Sequence, residues 1–222
     1  MKREIITTKD GSKTIHLPEW NENYHSHHGA YQEAMHVFIE SGLNHRETPA
    51  EELAVLEIGF GTGLNALLTL LHAPKETIIH YHGLEAFPVH QKELTAIDYT
   101  KDLSQLSNLS KQFTHLHEAP WNTSNAISPR FHLTKINKQL NDFQPDKAFY
   151  DLIYFDAFGP RVQPEMWTLS VFEKIYASLK PQGILVTYCA KGQVRRDLMS
   201  AGFTVEKIPG PPGKREMLRA TK

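Results

Sequence analysis

Three acidic side chains stand where apolar runs end. Glu57 lies in Leu53-Ala54-Val55-Leu56-Glu57-Ile58, just before Gly59-Phe60-Gly61-Thr62-Gly63. Glu85 follows Ile78-Ile79-His80-Tyr81-His82-Gly83-Leu84, and Asp156 follows Tyr150-Asp151-Leu152-Ile153-Tyr154-Phe155. Ligands of open α/β sheets lie beyond the carboxyl ends of the strands, so the three carboxylates are expected around one crevice. Glycines there let the backbone approach a ligand closely, and the helix that starts at Leu64 offers free N–H donors. A dinucleotide site usually spaces its glycines G-x-G-x-x-G and rests a pyrophosphate on the helix. Here the spacing is Gly59-x-Gly61-x-Gly63, and Glu57 would meet a pyrophosphate as like charge. A ligand with an ammonium or sulfonium centre and no phosphate suits it better. S-adenosylmethionine is such a ligand, with Glu85 at the place expected for a ribose-binding acid. The bland alternative is an ordinary core turn with an incidental run of glycines.

The elements that must position these groups read as follows. Leu64, Leu67, Leu68 and Leu71 make an i, i+3, i+4, i+7 stripe, a helix packed on the sheet. Phe131–Ile136 alternates and predicts a third strand, Tyr150–Phe155 a fourth and Ile184–Tyr188 a fifth, the last entered through the turn Lys180-Pro181-Gln182-Gly183. Helices are expected over Gln32–Ile39, most of Pro88–Leu109, Thr168–Leu179 and Val194–Ala201, and a loop or broken segment over 110–130. Strand–helix alternation up to residue 202 predicts a parallel sheet. The closing strands, Phe203–Ile208 and Glu216–Ala220, are joined only by a Pro/Gly loop and so must pair antiparallel. The expected architecture is a Rossmann-like α/β fold with a seven-stranded, mostly parallel sheet ending in an antiparallel hairpin. Residues 1–50, a hairpin about Asp10-Gly11 plus a helix, are expected as an N-terminal extension packed on a core domain of 51–222.

Composition sets the outer bounds. With 222 residues, 40% hydrophobic and 22% charged, the chain suits one α/β domain with room for an extension. It shows no membrane span and no secretory signal, and its single cysteine, Cys189, fits a reducing cytoplasm. Net charge is −1, but from Lys191 onward eight basic residues face three acidic ones, a local +5 that can attract a polyanion. His25, His27 and His28 lack acidic or thiol partners at a familiar zinc spacing, so no metal is expected. Phe158, Trp167 and Tyr24 can stack on a flat base.

Several blocks together resemble the MnmC-type tRNA methyltransferases, including the free-standing MnmD form. They are Leu56-Glu57-Ile58-Gly59-Phe60-Gly61-Thr62-Gly63-Leu64-Asn65, Asp156-Ala157-Phe158-Gly159-Pro160 with Pro164-Glu165-Met166-Trp167-Thr168, and Val194-Arg195-Arg196 with Gly213-Lys214-Arg215-Glu216-Met217-Leu218. Tyr24-x-Ser26 matches as well, and the resemblance covers nearly the whole chain. It implies a class I S-adenosylmethionine-dependent fold and methylation of a 5-aminomethyl group on the wobble uridine of tRNA, reached through the anticodon loop. It also implies cofactor contacts at Glu57, Gly59, Gly61, Asn65, Glu85 and Phe87, along stretches that include Phe60, Gly63, Ala86 and Asp156. The amine would face Asp156, in a pocket shaped by Phe158 and Pro160 with Tyr24, Ser26 and Trp167 near. Arg195, Arg196, Lys214 and Arg215 would meet the RNA. The Gly-Asp that the family carries near the adenine is replaced by Thr134-Lys135, which leaves Ile136 as the expected neighbour. Fused members carry an FAD-dependent oxidase domain; this sequence lacks one, so it is expected only to methylate, with a separate oxidase or upstream wobble-modifying enzymes as partners.

Attack on a sulfonium methyl needs an unprotonated nitrogen, whereas an alkylamine has a pKa of about 10.4. The expectation is that Asp156 orients the amine, that the proton leaves to water and that alignment supplies most of the acceleration. A small-molecule amine N-methyltransferase, an NAD-dependent oxidoreductase and a non-catalytic scaffold of the same fold stay open. Salt-dependent tRNA binding, NAD against S-adenosylhomocysteine binding, and methylation by the purified chain discriminate among them.

Overall fold

The computed structural model describes residues 2–45, 50–97, 99 and 109–222. The chain opens with a small antiparallel sheet. β1 (Glu4–Thr7) pairs with β2 (Lys13–Leu17) across the turn at Asp10-Gly11, and β3 (Glu22–Asn23) adds to β2. Helix α1 (Ala30–Ala34) runs on as a π-helical segment, Met35–Glu40. The core follows: β4 (Glu52–Ile58), α2 (Leu64–His72), β5 (Ile78–Leu84), α3 (Gln91–Ile97), α4 (Leu109–Glu118), β6 (Ser124–Ser128), β7 (Phe131–Ile136) and β8 (Tyr150–Phe155). Helix α5 (Leu169–Ser178), β9 (Leu179–Thr187), α6 (Gly192–Ser200), β10 (Thr204–Pro209) and β11 (Glu216–Thr221) complete it.

The large sheet has the order β10-β11-β9-β8-β4-β5-β7-β6. β9, β8, β4, β5 and β7 are parallel, and the closing pair is the expected antiparallel hairpin, with β11 inside against β9 and β10 at the edge. Among the described residues the sheet has eight strands where seven were expected, because 110–130 is not simply a broken segment. It holds α4, whose Phe113 and Leu116 are buried, and β6, antiparallel to β7 at the far edge. β6 hides from sequence because only Ile127 among its five residues is buried, so an edge strand shows no apolar alternation. β9 starts at Leu179, so the expected turn over 180–183 is a register irregularity inside the strand, with Gln182 at φ 63°. The expected helix over 88–109 is α3, Gln91–Ile97, and Leu109 begins α4; 98 and 100–108 lie outside the described residues.

Core residues divide between the two sheet faces. Val55, Tyr81, Leu133 and Tyr154 pack with α2, α4, the π-helical segment and the N-terminal sheet, while Leu56, Ile58, Ile153 and Leu185 pack with α5 and α6. This is the strand alternation made visible. The strand β4 lies between β8 and β5, the point where the chain reverses its direction of travel across the sheet, and a crevice is expected at that point.

Phe60 anchors the glycine turn to its neighbour strand. Its buried ring lies across Gly83 of β5, where any Cβ would run into the ring. Gly83→Ala is therefore an overpacking change, expected to cost about 1–3 kcal/mol and to lower the urea midpoint. An unchanged midpoint would show that the ring is free to move aside.

Candidate active site

Backbone geometry opens the site. Gly59 N–H and Phe60 N–H both donate to Leu84 O at 3.0 Å, and Gly63 N–H closes the turn on Phe60 O at 2.8 Å. Gly59 has φ 92°, and a Cβ there would lie 2.6 Å from Asp156 O, so a side chain would hold the ends of β4 and β8 apart. Beyond these strand ends is a cavity of about 1090 Å³.

Its floor is polar. Glu57 is 1% exposed; Tyr81 Oη donates to its Oε2 at 2.8 Å and Asn65 Nδ2 to its Oε1 at 2.8 Å. The same Asn65 Nδ2 donates to Asp156 Oδ2 at 2.9 Å, so one amide joins the two carboxyls. Burial pushes both carboxyls well above the ordinary carboxylate range; Asp156 adds to the rise at Glu57, and Glu33 adds to the rise at Asp156. An unpaired buried carboxylate costs several kcal/mol, so burial disfavours the charged form of each group and a nearby cation would offset that cost. Asn65 Oδ1 is buried without a partner among the described residues.

Glu85, half-buried at the end of β5, accepts from Phe87 N–H at Oε1 (2.8 Å) and Gly61 N–H at Oε2 (2.9 Å). These bonds orient it and leave lone pairs on both oxygens for a diol. The orphaned Asn65 Oδ1 beside Glu57 is an acceptor for an ammonium, and this donor set fits S-adenosyl-L-methionine.

The other wall is aromatic. Tyr24 lies over Gly61, at 3.2 Å from where a Cβ would be, and meets the Phe158 ring edge-on at 5.2 Å; Trp20 meets Phe158 at 5.5 Å. Burial lifts the Tyr24 hydroxyl to about 12. Ser26, Ala86, Phe87 and Lys214 also line the cavity, and Phe87 is 62% exposed at its mouth.

Other expected residues stand back. Gly63, at φ 71°, caps α2 from behind, and Pro160 lies beyond the lining residues. Trp167 is 4% exposed, and its Nε1 donates to Phe158 O at 2.7 Å, so it holds the wall residue rather than facing the cavity. Ile136 packs on the second core, and Lys138, Gln139 and Leu140 reach the cavity at that end. Lys135 points the opposite way, buried, its Nζ donating to His117 O at 2.7 Å, and desolvation lowers it to about 8. Arg196 and Arg215 are exposed and Arg195 is partly so, all away from the cavity. His25 is buried with its Nδ1 3.0 Å from Thr14 Oγ1, His27 meets Asn23, and His28 packs beside Gly213, so the three histidines do not converge.

Sequence reasoning missed Glu33 and Tyr188. Glu33 is 8% exposed, and its Oε2 accepts from Ser26 N–H at 2.7 Å; the available signal was an acid beside Ala30 and Ala34 on the buried side of a helix. Tyr188, at the end of β9, donates from Oη to Ala157 O at 2.9 Å. Among the described residues no helix is long and apolar enough to cross a membrane.

The raised carboxyls set a pH dependence. The folded state keeps protons that the unfolded chain releases near pH 4, so stability is full below that and falls as pH rises toward the folded values. His25 and His117, each held at about 4, act oppositely only up to about 6.5, and Lys135 only above about 8. The ligand-free chain is thus expected to lose Tm steadily between pH 6.5 and 8, with a shallower slope for Glu57→Gln. Equal slopes in a melting series would remove Glu57 from this account.

The chain is similar to known proteins in sequence and in fold. A family model described as S-adenosyl-L-methionine-dependent methyltransferase matches residues 97–222. The chain is 29% identical to the tRNA 5-methylaminomethyl-2-thiouridine biosynthesis bifunctional protein MnmC of Nitrosospira multiformis, over 92% of this chain and 35% of that protein. It is 30% identical to the protein of the same name from Hydrogenovibrio crunogenus, over 97% and 33%. It therefore spans about a third of the length of the curated relatives it matches. In fold it is similar to the crystal structure of MnmC2 from Aquifex aeolicus, with a TM-score of 0.75 and 24% identity over 99% of this chain and 70% of that one. Spermidine synthase from Thermotoga maritima follows at 0.56 and 15%, over 99% and 68%. With more than half its length matched, the chain belongs to the S-adenosyl-L-methionine-dependent methyltransferase family.

Proposed function

We propose that this chain methylates the aminomethyl nitrogen of a wobble uridine in the anticodon loop of tRNA, yielding the 5-methylaminomethyl form. The observation that carries the reading is the Glu57–Asn65–Asp156 bridge, a seat for cations beside the aromatic wall of Tyr24 and Phe158 that can hold a flat base. The names of the curated relatives support the substrate. On this reading residues 1–50 are an extension of a methyltransferase domain spanning 51–222. The compartment is the cytoplasm, and an FAD-dependent oxidase or upstream wobble-modifying enzymes supply the amine.

When bound, S-adenosyl-L-methionine would supply an electrophilic methyl group to the amine nitrogen, the C–S electron pair staying with sulfur. Glu57 and Asn65 Oδ1 would hold its ammonium and Glu85 its ribose. Asp156 receives the substrate's ammonium. In a pocket that penalises charge this ion pair collapses to a neutral amine and a protonated Asp156, which exposes the nitrogen lone pair. Asp156 thus serves as proton acceptor as well as clamp, and its proton passes to water afterwards. Phe158, held by Trp167, fixes the base so that attack is in line.

Lys207 and Arg219 of the basic segment are paired with Glu216 and Glu206, whereas Lys191, Arg195, Arg196 and Arg215 meet no carboxylate among the described residues. These four are the surface offered to phosphates.

The test is labelled-methyl transfer onto tRNA from cells lacking the terminal wobble methylation, read by nucleoside mass. Label on small amines and none on tRNA would overturn the substrate. Asp156→Asn is expected to lower kcat by about a hundredfold or more while S-adenosylhomocysteine affinity stays nearly constant; full turnover would remove Asp156 from the chemistry. Arg195→Gln with Arg196→Gln should reduce the salt slope of tRNA binding by about one for each phosphate that the variant no longer neutralises.

A further inference from the structure

Lys214 stands apart from the exposed basic residues of the C-terminal segment. Its Nζ lies 2.8 Å from Glu33 Oε1 and 3.9 Å from the Tyr188 ring centroid, inside the cavity that Asp156 also lines. The Glu33 side chain is only 11% exposed. Lys214 comes from the loop between β10 and β11, where its N–H donates to Pro211 O at 2.9 Å. The neighbouring Gly213, at φ 86°, leaves the room that the His28 ring fills, and so seats the loop against the segment that carries Ser26 and Glu33. Proline, glycine and a docked ring thus deliver one ammonium to a fixed place.

Two carboxylates near one amine create a difficulty. Asp156 and Glu33 acting together would hold a substrate ammonium tightly and keep it protonated, and a protonated nitrogen cannot attack. Of the charged side chains that bear on Asp156, Glu33 raises its pKa and Lys214 lowers it. We infer that the Glu33–Lys214 pair, seated on Tyr188, sets the charge of the amine pocket: Lys214 cancels Glu33, so that the acceptor nitrogen reacts unprotonated. Lys214 and Glu33 are positioning residues that act through the amine and Asp156.

The remaining titratable groups around the pocket are the same in every variant below. Glu57 shares the Asn65 amide with Asp156, Cys189 is buried with its thiol pushed up by burial, and Glu22 is held by Arg161 at 2.7 Å. Tyr188 is pushed up by burial and keeps its proton, as does Tyr24, while His25 is held neutral near about 4. His27, His28 and Glu165 lie on the rim and are common to every variant below.

The inference rests on the proposed amine methylation, and its test has two arms. In the first, the rising limb of kcat/KM against pH is measured with hypomodified tRNA. Lys214→Met bares Glu33 and should move the limb to higher pH by about one unit, roughly a tenfold loss on the limb. Glu33→Gln frees Lys214 and should move it to lower pH, and Lys214→Arg should restore the original position. A purely structural role would lower rates without signed shifts, and a phosphate-binding role would flatten the salt slope in Lys214→Met and leave the limb in place; either result overturns the inference.

The second arm needs no acceptor. The Asp156 carboxyl is titrated by carbon NMR in the ligand-free chain, where Lys214→Met should raise its midpoint and Glu33→Gln lower it. Were the wild-type chain to leave tRNA unmethylated, the substrate assignment would fall while this titration still judged the pair. Shifts of the same sign in both variants, or none, would overturn the charge balance itself.

Discussion

One side-chain amide carries the logic of the site. Asn65 spends its Nδ2 on two carboxyls, the buried Glu57 at 2.8 Å and the partly buried Asp156 at 2.9 Å, and leaves its Oδ1 buried and unmet among the described residues. Neither carboxyl is solvated well enough to ionise cheaply, yet both sit where ligands enter. On the proposed reading, positive charge completes such a pocket, and the two carboxyls joined by the amide offer it two seats.

That arrangement depends on close approach of backbone. β4 and β8 end side by side at the reversal of the sheet, and Gly59 permits the contact with Asp156 O that any other residue would block. Phe60, lying on Gly83, pins the following turn to β5, and the hydrogen bond from Gly61 N–H aims Glu85. The glycines therefore act through neighbours as much as through their own freedom. Each removes a Cβ from a place that a ring or a carbonyl occupies.

The N-terminal residues and the C-terminal hairpin complete the cavity from opposite ends of the chain. Arg3 donates to Phe87 O at 2.8 Å and pairs with Glu93, tying the first strand to the mouth of the cavity, and Tyr24 covers Gly61. Lys214 reaches Glu33 across 181 positions of sequence. Such long-range pairings cost little extra once the sheet is formed, because the loop-closure cost grows only slowly with length.

Much of this was legible from residue order. Periodicity and glycine placement determined the parallel core, the closing hairpin, the turn at Gly59-x-Gly61-x-Gly63 and the three strand-end acids, because each is a local pattern with a short repeat. β6 was not legible, since an edge strand with a single buried side chain carries no such pattern. Nor was the withdrawal of Trp167 and Ile136 from the cavity, or the choice of Leu140 in their stead at one end, since side-chain direction is set by packing on the far face of the sheet. Composition marked Lys214 as part of a basic face. Only the tertiary structure decided that its charge points inward to Glu33, because ion pairing depends on distance in space, and nothing along the chain records which acid a lysine will meet.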